Sequence, residues 1–174
     1  MTVSIACGQR GTRLTKDRAS ETYLSNLRIS GYVGDPLLDG KAKTYRFAGD
    51  IPVNSLSLDG TWTAGYRYFT AGDHARLAFT CRAGNANGVL AGKGTVTVLV
   101  DGKVVKTIPV EGTPNLYKLV DDSTARTAHL ELRLTPGIQA YSFIFGWTRT
   151  RLDPAGRLPG SGSVRRPETA PVPA

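Results

Sequence analysis

Short segments in which apolar and polar residues alternate run through the chain from residue 21 to residue 146, with turn signals between them. A side-chain period of two is typical of a β-strand that buries one face. Two β-branched runs, Thr95–Val100 and Lys103–Val110, flank the dipeptide Asp101-Gly102. This dipeptide tolerates positive φ at both central positions of a tight turn, so the stretch predicts a β-hairpin.

The same pattern predicts roughly eight to ten short strands and very little helix. Strands of this length and spacing are typical of an all-β domain, and we predict a two-sheet antiparallel β-sandwich of jelly-roll type. We expect one continuous strand from Trp62 to Phe69, a loop at residues 84–88, and at most a turn or two of helix near Ser20–Leu27. The other predicted strands are Thr44–Phe47, Ser55–Leu58, Arg76–Arg82, Leu116–Val120, His129–Leu134 and Ile138–Phe145.

Composition divides the 174 residues into three parts. Residues 1–19 are polar and basic and lack apolar periodicity, which predicts a flexible arm. Residues 20–146 form the predicted β-domain. Residues 147–174 are rich in Pro, Gly and Arg and nearly free of aromatic side chains, so they cannot bury enough surface to offset the entropy of ordering. We therefore predict a disordered basic tail.

The formal net charge of +8 does not indicate nucleic-acid binding, because most of it lies outside the β-domain. Residues 21–146 hold thirteen basic and eleven acidic residues, a net charge of only +2. Nucleic-acid-binding modules place their charge on the folded face. The chain has no apolar run of about 18 residues, so we expect no membrane insertion. Met1–Cys7 lacks a basic leader and a long apolar region, so we expect no signal peptide in this chain.

Two cysteines, Cys7 and Cys81, lie 74 positions apart and form no Cys-x-x-Cys pair. The alternation places Cys81 on the apolar face of its strand, which predicts a buried and unreactive thiol. A disulfide between the two cysteines is not favoured. Neither His74 nor His129 lies in a nucleophile motif, and no ligand spacing suggests a metal. We therefore predict no catalytic residue, no metal and no cofactor, and enzyme is the weaker class.

The aromatic residues are the more informative candidates for function. Trp62, Tyr66 and Tyr68 share one phase of the predicted strand, so they form either a platform for a sugar ring or part of the core. We expect Trp62 to be mainly core, and we assign Tyr141 with Phe143 and Phe145 to the core as well. The candidate ligand-binding residues are Trp62, Tyr66, Tyr68, Tyr32, Arg67, Asn85 and Asn87.

Five blocks of sequence follow one another within residues 20–146: Ser20–Leu24, Leu56–Trp62, Val98–Gly102, Asn115–Val120 and Pro136–Gly146. In this order they resemble the C-terminal, carbohydrate-binding-module-like domain of the DipZ family. Proteins of this family join a cytochrome-c-biogenesis type membrane domain, a thioredoxin-like domain and this terminal β-sandwich. The resemblance implies an extracytoplasmic location. The stretch after Gly146 departs from the family pattern, in which this last block lies near the terminus.

The redox chemistry that the resemblance implies belongs to a Cys-x-x-Cys thioredoxin domain and to a membrane domain, which this chain lacks. The chain is therefore interpreted as the accessory domain alone, whether a gene fragment, a product of a misassigned start codon or a partner encoded beside its redox domain. Three hypotheses follow. In the first, the domain binds glycan, peptidoglycan or a partner protein for a thiol–disulfide exchange system. In the second, it is an oxidoreductase fragment that acts through Cys81 or Cys7. In the third, it only packs against a separate thioredoxin unit, and an exposed apolar patch near Glu21–Leu27 would favour this hypothesis.

Overall fold

The computed structural model describes residues 20–146, apart from the side chains of residues 20, 82–83 and 122–126. The predictions of a flexible arm at residues 1–19 and of a disordered tail at residues 147–174 lie outside the described residues. All regular structure in the described part is β-strand. The strands are β1 (Ser20–Tyr23), β2 (Ala42–Tyr45), β3 (Ser55–Ala64), β4 (Phe69–Ala71), β5 (Arg76–Val100), β6 (Lys103–Leu134) and β7 (Gln139–Gly146).

One antiparallel sheet contains all seven strands. β3 pairs with β4, β4 with β7, β7 with β5, and β5 with β3, so the sheet closes on itself as a barrel. β1 extends the sheet beside β7, and β2 lies beside β3. The all-β prediction is confirmed. The finer prediction of two separate jelly-roll sheets is not confirmed, because the pairing of β7 with β5 joins the strands into one closed sheet.

β5 and β6 form a long hairpin that bends back on itself. The end of β5 pairs with the start of β6 through the turn Asp101-Gly102, and it also pairs with the end of β6. Both turn residues have positive φ, 50° for Asp101 and 78° for Gly102, which confirms the predicted hairpin. The predicted alternation at the end of β6 is also confirmed, because Leu130, Leu132 and Leu134 are buried.

The predicted loop at residues 84–88 is wrong, because these residues lie inside β5 and pair with β6 on one side and β7 on the other. Its glycines were interpreted as turn residues. Gly88 instead serves packing, since a Cβ atom there would lie 3.0 Å from the Phe143 ring and 3.2 Å from Leu119. Because glycine has no side chain, Phe143 and Leu119 can pack against the backbone of β5 at Gly88.

The predicted strand from Trp62 to Phe69 is interrupted by a turn. β3 ends at Ala64 and β4 begins at Phe69, and these two residues pair across the hairpin. The Gly65 N–H donates to the Tyr68 carbonyl over 3.1 Å and closes the turn. The alternation of burial stops there, because side-chain phase carries through only while the backbone stays extended.

The core fills the interior of the barrel. Cys81 is only 5% exposed and belongs to this core, which confirms its predicted burial. The short helix expected near Ser20–Leu27 is instead β1 followed by a turn, in which two N–H groups donate to the Ser25 carbonyl. The largest fully buried side chains are Trp62, Tyr45, Phe69, Phe143, Leu24, Leu56, Leu58, Leu77, Leu90, Leu119, Leu132 and Ile138.

Candidate ligand-binding site

Three segments of the chain meet at one end of the barrel: residues 24–27, the β3–β4 turn and the start of β7. The Ser25 hydroxyl donates to the Tyr66 carbonyl over 2.6 Å, and the Leu24 N–H donates to the Tyr141 carbonyl over 2.8 Å. These bonds fix the β3–β4 turn and the start of β7 against the segment that follows β1. The side chains that this end presents to solvent, which we call the tyrosine surface, are Leu27, Tyr66, Arg67, Tyr68 and Tyr141.

Tyr68 and Tyr141 form a ring pair at the centre of this surface. Their ring centroids lie 4.9 Å apart with an interplanar angle of 42°, and both side chains are half-buried. Tyr141 reaches this position through a β-bulge, because β5 pairs Val89 with Ser142 and Leu90 with Ala140 and leaves Tyr141 as the extra residue. The prediction that Tyr141 is core is therefore wrong: the bulge shifts it out of phase with the buried aromatic residues that follow.

Tyr66 is the most exposed aromatic residue of this surface, with 61% of its area accessible. A hydrogen bond to the Asp39 carboxylate, followed by the negative charge of that carboxylate, raises the pKa of Tyr66. Asp39 is held in turn by the Asn26 amide, which donates to Asp39 Oδ1 over 2.6 Å and to the Ala64 carbonyl over 2.9 Å. The Asp39 carboxylate therefore favours the protonated phenol, and most of the Tyr66 area stays accessible to solvent.

A cation and an apolar side chain complete the tyrosine surface. Arg67 is exposed and lowers the pKa of Tyr141, although burial and the neighbouring Tyr68 outweigh it and raise that pKa overall. Leu27 is 75% exposed and follows directly on the residues that bond to the turn. Open aromatic faces next to hydrogen-bonding groups suit a ligand with an apolar face and a polar rim.

Three of the seven predicted ligand-binding residues come together here: Tyr66, Arg67 and Tyr68. Trp62 does not, and this corrects its place in the predicted platform. Its side chain is fully buried, and Nε1 donates to the carbonyls of Asp59 and Arg76 over 3.0 and 3.2 Å. Both the ring and its polar atom are thus satisfied inside the protein, as the expectation that Trp62 is mainly core required.

The other three candidates lie away from the tyrosine surface. Tyr32 bridges to Leu56 near the start of β3, and its hydroxyl donates to the Asp35 carbonyl over 2.7 Å. Asn85 and Asn87 are half-buried on β5, opposite the last residues of β7. Tyr141 lies nearer the start of β7, so the two asparagines and the tyrosine pair occupy different parts of the strand.

Two residues of the surface, Tyr141 and Leu27, were not predicted, and neither was Asp39, the partner of Tyr66. The surface position of Tyr141 was not predictable, because a β-bulge has no sequence signal as strong as the alternation of apolar and polar residues. Asp39 meets Tyr66 only through a contact between residues 27 positions apart. Leu27 had a detectable signal, since a leucine in a polar turn is a candidate for exposure. The hypothesis of an exposed apolar patch near Glu21–Leu27 included this residue.

Chemically reactive groups are few in the described part of the chain. No group of three or more His, Cys, Asp or Glu side chains among the described residues is placed to hold a metal ion. Cys81 is enclosed by the core, and Cys7 lies outside the described residues. None of the described residues forms a helix that could cross a membrane.

Solved structures with a similar arrangement include two carbohydrate-active proteins. A family two carbohydrate esterase from Cellvibrio japonicus is 9% identical, with a TM-score of 0.48, over 76% of this chain and 35% of that one. The carbohydrate-binding module CBM36, solved with calcium and xylotriose, is 16% identical, with a TM-score of 0.36, over 72% of this chain and 97% of that one. Likeness at this level carries no argument about function.

Sequence comparison is more specific. Protein DipZ of Mycobacterium bovis and protein DipZ of Mycobacterium tuberculosis are each 30% identical to the chain over 127 residues, which is 72% of this chain. The chain spans 18% of the length of these relatives. The family described as a thioredoxin-like C-terminal domain matches residues 19–146. The chain belongs to this family of thioredoxin-like C-terminal domains, which confirms its resemblance to the C-terminal domain of DipZ proteins.

Proposed function

We propose that this chain is a non-catalytic accessory domain of a DipZ-type thiol–disulfide exchange system, outside the cytoplasm, and that it binds glycan at the tyrosine surface. The observation that carries the proposal is the exposure of Tyr66 two residues before Tyr68, which forms a ring pair with Tyr141. Family membership supports the accessory role. The glycan specificity rests on the surface itself.

A sugar ring has an apolar C–H face and a rim of hydroxyl groups, and the tyrosine surface offers a partner to each. Tyr66 and Tyr68 supply ring faces for stacking. Arg67 donates to hydroxyl oxygens, and the Asp39 carboxylate accepts from hydroxyl hydrogens. The Ser25–Tyr66 hydrogen bond holds the turn in place, so little conformational entropy is lost when a ligand binds.

The tyrosine surface also lies away from the ends of the described domain. β1 starts at Ser20 opposite Phe145, so the chain enters and leaves the domain at the Gly146 end of β7. Tyr141 and Gly146 are separated by five residues of strand, about 17 Å at the usual rise. The segments before Ser20 and after Gly146 therefore connect to the domain at that distant end.

The test is an affinity measurement of the full chain on soluble polysaccharides and peptidoglycan fragments. Tyr66→Ala and Tyr68→Ala should each weaken binding about tenfold or more, because loss of one stacking partner costs about 1–3 kcal/mol by analogy with other stacked ring ligands. Tyr117→Ala is the matched control, since Tyr117 is a half-buried tyrosine on β6 with its hydroxyl near Glu111. Equal binding by all three variants, or no binding across the panel, would contradict the proposal.

A second candidate function is docking of a separate thioredoxin-like unit on the same surface. The exposure of Leu27 favours it, because a leucine that is 75% accessible beside aromatic side chains is typical of a protein contact. Leu27→Asp should abolish co-purification with a thioredoxin-like domain expressed alongside, and it should weaken glycan binding less than Tyr66→Ala does. If Leu27→Asp lost glycan binding but still co-purified with the thioredoxin-like domain, the first function would be favoured.

Thiol exchange by this chain alone is the hypothesis with the least support. An exchange thiol must be exposed and easily deprotonated, whereas Cys81 is 5% accessible and packed among apolar side chains. In a Cys7→Ser background, Cys81 should react with a thiol reagent only as fast as the protein unfolds. Rapid labelling of the native protein would restore the redox hypothesis.

A further inference from the structure

A second surface feature lies on the outside of the barrel, where β3, the start of β5 and the end of β6 run side by side. It is an open depression of about 500 Å³, a volume within the range of small-ligand sites. Arg76 of β5 lies directly opposite Arg133 of β6, so the two arginines are neighbours across the strand pair. The lining residues are Asp59, His74, Ala75, Arg76, Arg133 and Leu134.

Two carboxylates hold these arginines in place. Arg76 donates through Nε and Nη2 to Asp59 Oδ2 over 3.0 and 2.8 Å, and Arg133 donates through Nε to Glu131 Oε1 over 2.8 Å. Like charges directly opposite each other in a sheet are destabilising. The negative charges of Asp59 and Glu131 offset that repulsion, and their hydrogen bonds restrict the orientation of both guanidinium groups.

These side chains keep unused hydrogen-bonding capacity, and Asp59, Arg76 and Arg133 line the depression. Among the described residues, neither Nη nitrogen of Arg133 has an acceptor, and Nη1 of Arg76 has only a 3.9 Å contact with Glu131. Asp59 Oδ1 and Glu131 Oε2 likewise have no donor within the described part of the chain. The lining of the depression therefore offers the free end of the Arg133 guanidinium and the Asp59 carboxylate, and Glu131 serves as the acceptor that holds Arg133.

His74 forms part of the rim in an unusual backbone conformation. Its φ is 53°, a region that residues with side chains rarely adopt, and its carbonyl packs directly over Gly60, where no Cβ would fit. Conformations of this kind cost free energy and cluster at ligand sites. The strained turn places His74 among the residues that line the depression.

We propose that this depression binds the carboxylate of an acidic sugar. The end of a guanidinium group matches a carboxylate through two parallel hydrogen bonds, which Arg133 can make with its two Nη nitrogens. The neighbouring carboxylate oxygens then accept hydroxyl hydrogens of the same sugar. A free phosphate or sulfate ion leaves these acceptors without hydroxyl donors and carries more negative charge towards them than one carboxylate does, which favours a carboxylic acid that also carries hydroxyl groups.

The acidic-sugar site is separate from the tyrosine surface and does not depend on the function proposed for it. Asp59 lies five residues before Ala64 on β3, about 17 Å at the usual strand rise. Loss of one site should leave the other intact. Because Asp59 and Glu131 neutralise much of the positive charge, binding should be weak, with a dissociation constant of about 1 mM.

The test is an NMR titration of the full chain with sodium glucuronate at constant ionic strength, with glucose and sodium acetate as comparison ligands. Glucuronate should shift the amide signals of residues 74–76 and 131–134 in a saturable way, and the other two ligands should bind at least tenfold more weakly. Arg133→Gln should weaken glucuronate binding at least tenfold. His74→Gly, which keeps the positive φ, is a second variant and should weaken it less.

Two controls separate this site from the alternatives. Lys118→Gln removes an equally exposed charge on another part of β6 and should not change glucuronate binding. Tyr66→Ala should not change it either, so failure of glycan binding at the tyrosine surface is distinguishable. An equal response to glucose, equal affinity for acetate, or unchanged binding by Arg133→Gln would overturn the proposal.

Discussion

Trp62 and Tyr66 are four residues apart in the chain and belong to two different regions of the molecule. Trp62 lies on β3 with its side chain fully buried, whereas Tyr66 lies in the β3–β4 turn with 61% of its area accessible. Both have an apolar ring and a polar atom. The difference lies in the partner of that atom, since Trp62 Nε1 donates to two backbone carbonyls and the Tyr66 hydroxyl meets Asp39 at the surface.

The comparison separates aromatic residues that stabilise the fold from those available for binding. A ring on an extended strand with a buried face adds its full area to the core. Beyond the turn at Gly65, Tyr66 is exposed and Tyr68 is half-buried, so these two rings add less to the stability of the core. Aromatic side chains that lie at a turn and do not pack in the core are therefore the better candidates for ligand binding.

The largest expected effect is the loss of Trp62. Trp62→Ala removes a fully buried side chain and leaves two carbonyls without their shared donor, so the free energy of unfolding should fall by about 3–5 kcal/mol. Thermal melting should show a decrease of about 10 °C or more, or an unfolded protein. A decrease of only a few degrees would show that Trp62 is not core, and the contrast with Tyr66 would fail.

Gly88→Ala tests the same core from the opposite strand. The new methyl group would meet Phe143 and Leu119 at 3.0–3.2 Å, so the free energy of unfolding should fall by about 1–3 kcal/mol. Gly49→Ala is the control, because no atom lies within 4 Å of the added Cβ and φ is not positive there. Similar denaturation midpoints for the two variants would mean that β5 packs more loosely than described.

Tyr32 is partly buried outside the tyrosine surface and gives a pH-dependent effect. Burial, with smaller contributions from Tyr45 and Asp35, raises the pKa of Tyr32 to about 12. Because the fold favours the protonated phenol, its contribution to stability is complete below pH 10 and is lost as the pH rises from about 10 to about 12. Tyr32→Phe should be slightly less stable than the wild type at pH 8, and the difference should shrink towards pH 11. A constant difference would contradict the buried position of this phenol.

The smallest effect on stability is expected at the tyrosine surface. Tyr66→Ala removes a side chain with most of its area in solvent, so its melting temperature should stay within about 2 °C of the wild type. The prediction sharpens the comparison, because Trp62→Ala and Tyr66→Ala delete aromatic rings only four positions apart. A large loss of stability in Tyr66→Ala would make Tyr66 structural and weaken its assignment to a binding site.

Local patterns in the sequence predicted much of the fold. The hairpin at Asp101-Gly102 depends on two residues that tolerate positive φ, and the burial of Cys81 depends on the phase of one strand. Both properties are set within a few residues. The family resemblance was likewise carried by short blocks, and it is confirmed by the match over residues 19–146.

Features that depend on distant contacts were not predictable in the same way. The closure of the barrel requires β7 to pair with β5, and the bulge at Tyr141 exists only within that pairing. The sequence around Gly88 contains turn residues, and only the presence of Phe143 and Leu119 shows why glycine is needed there. The candidate site was half predicted for this reason: Tyr66, Arg67 and Tyr68 are local, whereas Tyr141 and Asp39 arrive from other parts of the chain.

The most direct test of the central claim is an NMR titration of the full chain with whichever glycan of the polysaccharide and peptidoglycan panel binds it. We expect amide and aromatic signals of residues 24–27, 64–68 and 139–141 to shift together and in a saturable way, while the indole N–H of Trp62 stays unchanged. If the glycan instead shifts mainly β6 between Lys103 and Lys118, the tyrosine surface is not the binding site and the account is contradicted.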